Sequence, residues 1–64
     1  MNINYNGKTY YLLAANKYGT TITIGNANLK VLYSSTGAND DRTLNITDGK
    51  VVLGSYETIL VEQL

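Results

Sequence analysis

The chain has no cysteine, no histidine and no proline. Without cysteine no disulfide can staple the fold, and without cysteine and histidine the usual zinc sites are excluded. A Ser-His-Asp or Cys-His arrangement needs an imidazole, so that nucleophilic chemistry is excluded as well. An excess charge of one sign is also missing, because five basic residues balance five acidic ones. Capture of nucleic acid or of an anionic membrane needs a basic surface, so neither is expected as a partner. No apolar run approaches the roughly 20 residues that span a bilayer. No positively charged segment followed by an apolar stretch marks a signal peptide. The chain is therefore read as cytoplasmic, and secretion would require a leader upstream of Met1.

What is present points to strands. Val, Ile, Thr and Tyr are abundant and fit a pleated, half-buried surface. Six glycines provide the punctuation, with asparagines beside several of them, where tolerance of left-handed backbone angles is useful. Sixty-four residues make one domain, spanning 1–64. A chain this short buries only about 60% of the surface that its unfolded form exposes. Its stability is expected to be a few kcal/mol.

Asn2-Ile3-Asn4-Tyr5 alternates polar and apolar, as a half-buried strand does. Asn6-Gly7 is the strongest short hairpin signal, because both turn residues need positive φ. Lys8 to Ala15 follows, and its centre, Tyr10 to Ala15, is apolar on both faces, which predicts a central strand covered on both sides. Asn16-Lys17-Tyr18-Gly19 is a turn. Thr20 to Ile24 alternates with Ile22 and Ile24 inward, and Gly25 to Asn28 breaks it. Leu29 to Ser34 places Leu29, Val31 and Tyr33 on one face. Ser35 to Arg42 is the longest polar stretch and is read as a flexible loop. Thr43 to Thr47, an Asp48-Gly49 hairpin and Lys50 to Leu53 follow. Gly54-Ser55 then turns the chain into Tyr56 to Val61. About seven short strands at roughly 8–12-residue spacing predict an all-β, antiparallel sandwich. Its core is expected to hold Tyr10, Leu12, Ile22, Ile24, Val31, Tyr33, Val51, Leu53, Ile59 and Val61.

Chemistry is sparse. A glycosidase of the usual kind needs two carboxylates flanking a cleft. The five available are Asp40, Asp41, Asp48, Glu57 and Glu62, which fall in a loop, at turns and near the chain end. No catalytic residue and no cofactor site is assigned. Asn39-Asp40-Asp41 offers oxygen atoms to calcium, but the spacing does not match an EF-hand loop, so it is read as a solvated turn and no metal is assigned. Asn45-Ile46-Thr47 fits the glycosylation sequon, a triplet common by chance. The six tyrosines are the only aromatics. Tyr10, Tyr33 and Tyr56 sit in apolar contexts and are read as core. Tyr18, in a turn, and Tyr5 and Tyr11 are the candidates for stacking on the apolar face of a sugar.

Three segments carry a resemblance. Asn6-Gly7-Lys8-Thr9-Tyr10-Tyr11-Leu12-Leu13-Ala14-Ala15-Asn16 is similar to a first strand reading "NG-x-x-LLVVANF". Leu29-Lys30-Val31-Leu32-Tyr33-Ser34-Ser35 is similar to "LLLSN", and Leu53-Gly54-Ser55-Tyr56-Glu57-Thr58-Ile59-Leu60-Val61 to "L-x-PYEA-x-V". From about Asn6 to Gln63 the chain resembles the small C-terminal β-domain of family 13 glycoside hydrolases, of the α-glucosidase and oligo-1,6-glucosidase type. The C-terminal domain of family 42 β-galactosidases has nearly the same pattern. Ser55 stands where the pattern has proline, and Lys17 where it has an aromatic. The motifs are strand cores and a corner, with no catalytic residue among them.

The resemblance implies a non-catalytic accessory domain excised from a larger, bacterial enzyme of carbohydrate metabolism. In a bacterial source the sequon would be idle. The implied partner is an upstream catalytic barrel of the same polypeptide. One face would stay apolar for that barrel, so the isolated domain is expected to self-associate. An autonomous carbohydrate-binding module and an unrelated small β structural or assembly module are the alternatives.

Overall fold

In a computed structural model, which describes residues 1–37 and 42–64, the chain forms seven strands and, among those residues, no helix. They are β1 (Asn2–Tyr5), β2 (Lys8–Ala14), β3 (Thr20–Thr23), β4 (Ala27–Ser34), β5 (Thr43–Ile46), β6 (Lys50–Leu53) and β7 (Thr58–Gln63). One sheet has five strands in the order β1-β2-β7-β4-β5, and a second pairs β3 with β6. Every pairing is antiparallel. Asn6 and Gly7 adopt φ of +50° and +75°, so the β1–β2 hairpin closes as its turn residues predict.

Asp48-Gly49 corrects the sequence reading. It does not close a hairpin, because β5 and β6 lie in different sheets. Asp48 Oδ1 accepts the Lys50 N–H at 3.1 Å, and Gly49 takes φ of +77°. This local turn chemistry suits a step between sheets as well as a hairpin. The Gly49 carbonyl then accepts the Ile24 and Gly25 N–H groups at 2.8 and 3.1 Å, which anchors the step to the end of β3.

The core lies between the sheets. Leu13, Leu29, Val31, Val51, Leu53, Ile59 and Val61 are buried. Tyr11, Ala15, Ile22, Ile24, Ala27, Leu44 and Ile46 pack around them. Directly opposed residues share a face of a sheet. Tyr11 and Val31 both oppose Val61, and Leu13 and Ser34 both oppose Ile59, so these rows form the inner face.

Four core assignments from the sequence are corrected. Tyr10 and Leu12 lie on the outer face of β2, opposite Glu62 and Leu60, and Leu12 is 38% exposed. An apolar run of this kind carries no period-2 phase of its own, and the alternation of β7 selects Tyr11 and Leu13 as the inward set. Tyr33 is also outside. A β-bulge between Val31 and Tyr33 inserts one residue, so Ser34 takes the inner position and Tyr33 opposes Leu60. Buried Ser34 satisfies its hydroxyl locally, with Oγ 2.8 Å from Thr36 Oγ1. Tyr56, read as core and strand, lies exposed in the turn before β7.

Candidate functional site

β2 and β7 run antiparallel as neighbours, so the end of β2 lies beside the start of β7. The turn after β2, Asn16 to Gly19, therefore adjoins the turn before β7, Gly54 to Glu57. Asn16 ties them together. Its carbonyl accepts the Gly19 N–H at 3.0 Å and the Tyr56 N–H at 2.8 Å. Its side-chain Oδ1 accepts the Tyr18 N–H at 2.9 Å. The Ala15 N–H donates to the Glu57 carbonyl at 2.9 Å.

The second turn is closed twice. The Glu57 N–H donates to the Gly54 carbonyl at 3.1 Å, and the Gly54 N–H donates to Glu57 Oε1 at 2.9 Å. Tyr56, third of its four residues, has φ of +55°. Turns of this kind give such a position to Gly or Asn. An L side chain in the left-handed region costs about 1–2 kcal/mol. Gly19, at φ of +72°, lets the two turns meet backbone to backbone, since a Cβ there would lie 2.6 Å from the Leu53 carbonyl oxygen.

Two tyrosine rings stand on this clamp. Tyr18 is 82% exposed and Tyr56 69% exposed. Lys17 Nζ lies 5.0 Å from the centroid of the Tyr18 ring, within cation–π range.

The three tyrosines singled out from sequence do not share a surface. Tyr5 ends β1 on the outer face, opposite Lys8. Tyr18 lies past the far end of β2, roughly 20 Å along that strand. Tyr11 is half-buried on the inner face, with its hydroxyl donating to Gln63 Oε1 at 3.1 Å. The structure instead ties the Tyr56 and Tyr18 backbone N–H groups to one residue, Asn16. The sequence signal for that pairing was the Tyr-Glu turn itself, which extends two residues further than the strand reading allowed.

The described carboxylates each hold a local bond. Asp48 caps its turn, Glu57 closes the Gly54 corner, and Glu62 pairs with Lys8 at 3.1 Å. The Glu62 hydrogen bond and charge, with a smaller effect of Tyr10, raise the Lys8 ammonium above its ordinary value of 10.5. Asp40, Asp41 and the Asn39-Asp40-Asp41 group lie outside the described residues, as does part of the loop read from Ser35 to Arg42. Among the described residues no pocket opens and no three carboxylates come together. No helix among them is long and apolar enough to cross a membrane.

The outer face of the five-stranded sheet is a second feature. Leu12 and Tyr33 both oppose Leu60, giving a transverse row Leu12–Leu60–Tyr33. Met1 extends it through its exchange of hydrogen bonds with Leu12 at 2.9 Å. Tyr10 and Ile3 form an adjacent half-buried pair.

No protein-family model, curated protein or solved structure matches the chain.

Proposed function

We propose that the chain is a non-catalytic C-terminal accessory domain of a glycoside hydrolase, of the α-glucosidase type, that packs against an upstream catalytic barrel. The observation that carries this reading is the outer face of the five-stranded sheet. Four apolar side chains, Met1, Leu12, Leu60 and Tyr33, cross it in one row. Leu12 is 38% and Tyr33 49% exposed. A sheet face that serves only as a solvent surface alternates to polar residues outward. A contiguous apolar row marks a surface that a partner covers.

The resemblance supports the choice of partner. Its first and last motif segments are β2 and β7, which pair along the centre of the sheet, and its corner residues meet at Asn16 and Tyr56. In such a domain the barrel covers the apolar row, and the domain stabilises the barrel by removing apolar surface from water at about 25 cal/mol per Å².

The experiment is sedimentation of the isolated chain across a concentration series, joined to a reading of the coding sequence upstream of Met1. Self-association that Leu12→Ser and Tyr33→Ser abolish, with a barrel-sized frame upstream, supports the docking reading. A strict monomer at millimolar concentration, or no such frame, overturns it.

A further inference from the structure

We infer, independently of the docking reading, that Asn6 is a site of covalent self-modification by the Gly7 backbone nitrogen, and that the isoaspartyl product releases β1 from the sheet.

Water is the only co-reactant. The Gly7 backbone nitrogen bonds to Cγ of the Asn6 side-chain amide. Its proton passes to the amide nitrogen, which leaves as ammonia, and a five-membered cyclic imide remains. Water then opens the imide at one of its two carbonyls. One opening gives aspartate. The other gives isoaspartate, in which the main chain runs through the former side-chain carbonyl and is longer by one methylene.

The structure singles out Asn6 among the asparagines. Its neighbour is glycine, whereas every other asparagine is followed by a residue with a side chain. A Cβ built on Gly7 would meet nothing within 4 Å, so the approach to its nitrogen is open. Both residues are exposed. Among the described residues, neither the Gly7 N–H nor the Asn6 side-chain amide has a hydrogen-bond partner. By contrast, Asn4 Oδ1 accepts from Thr9 and Asn16 Oδ1 from the Tyr18 N–H.

The two products differ in what they do to the hairpin. The turn holds φ of +50° and +75° at Asn6 and Gly7. Asp-Gly suits such a turn as well as Asn-Gly, so the aspartyl product keeps it. A main chain longer by one carbon does not match a two-residue turn. Little else holds β1. It pairs with β2 alone, and only Ile3 of its four residues is half-buried. With so little apolar burial, the strand depends on its turn and its ladder. Its release makes β2 the edge of the sheet and opens the apolar run Tyr10 to Ala15 to pairing with other chains.

The test is incubation of the isolated chain in warm, mildly alkaline buffer, read by peptide mass mapping and by amide hydrogen exchange. Met1 and Leu12 exchange hydrogen bonds, so Ile3 and Tyr10, the next pair in phase, exchange them too. The mass gain of amide-to-acid conversion is expected at Asn6 ahead of every other asparagine, with both products present. The Ile3 and Tyr10 amides should lose protection in the isoaspartyl form and keep it in Asn6→Asp, which reproduces the aspartyl form. Gly7→Ala should slow the conversion severalfold, in buffer and again in denaturant, where a change of fold plays no part. Conversion no faster at Asn6 than elsewhere, or undiminished in Gly7→Ala in denaturant, would overturn the site. Equal protection of Ile3 and Tyr10 in the isoaspartyl form and in Asn6→Asp would overturn the release of β1.

Discussion

The Asn16 carbonyl accepts the Tyr56 N–H at 2.8 Å, joining residues forty positions apart (56 − 16) across the end of the β2–β7 pair. The same residue holds Tyr18 through Oδ1. Asn16→Ala removes only the side-chain bond and should cost about 0.5–1.5 kcal/mol, the net worth of one hydrogen bond. Because the carbonyl bond remains, the fold should survive while the Tyr18 turn loosens. Denaturant unfolding and amide exchange at Tyr18 check this, and unchanged protection of Tyr18 would contradict it.

Tyr56→Gly should stabilise the chain. Relief of a left-handed L residue is worth about 1–2 kcal/mol, and the added freedom of glycine in the unfolded chain takes back about 0.5–1 kcal/mol. The net gain is roughly 0.5–1 kcal/mol, read as a higher denaturant midpoint. A lower midpoint would show that the ring makes contacts the turn needs.

Gly19→Ala should act in the opposite direction. The new Cβ would lie 2.6 Å from the Leu53 carbonyl oxygen, and φ of +72° is unfavourable for alanine. Substitution at such an angle destabilises by more than the roughly 1 kcal/mol that a compatible Gly→Ala change gains. A melting temperature equal to that of the parent chain would show that the two turns can separate freely.

The inward phase of β2 is testable with two neighbouring leucines. Leu13 is 6% exposed and Leu12 38%. Leu13→Ala should cost about 2–5 kcal/mol, enough to unfold so small a domain. Leu12→Ala should cost clearly less. Equal losses at the two positions would contradict the register.

The alkaline limb of stability should carry one identifiable contribution. Lys8 is held above its ordinary value of 10.5, first by the hydrogen bond it donates to the Glu62 carboxylate and then by the charge of that carboxylate. A raised folded-state value means that the contribution is present at neutral pH and is lost as pH rises from about 10.5 through the folded value. Lys8→Met should flatten stability over that window and leave its shape below pH 9, roughly, unchanged. An identical alkaline profile in the variant would remove the pair from the account.

Much of the fold was legible because strand existence is a local property. The Asn6-Gly7 turn and all seven strands follow from alternation and turn residues. What escaped the sequence was non-local. Tyr10 to Ala15 is apolar on both faces, so only pairing with β7 could choose between Leu12 and Leu13. No residue near Leu32 signals a bulge, and that single insertion exchanges Tyr33 for Ser34. Asp48-Gly49 announces a turn but not the sheet that the next strand joins. Of the site, Tyr18 was legible from its turn context. Tyr56 was not, because Leu53 and Ile59 on either side made it read as strand.

Thermal unfolding of the complete encoded polypeptide, with and without the paired substitutions Leu12→Glu and Tyr33→Glu, tests the docking role most directly. Both positions lie on the outer face, so the β-domain alone should keep its own transition. The transition of the catalytic barrel should fall by several degrees in the double variant, at a cost on the order of 1–3 kcal/mol for unpaired charge in a docked face. A barrel transition that does not move, or a polypeptide with no barrel upstream, would contradict it.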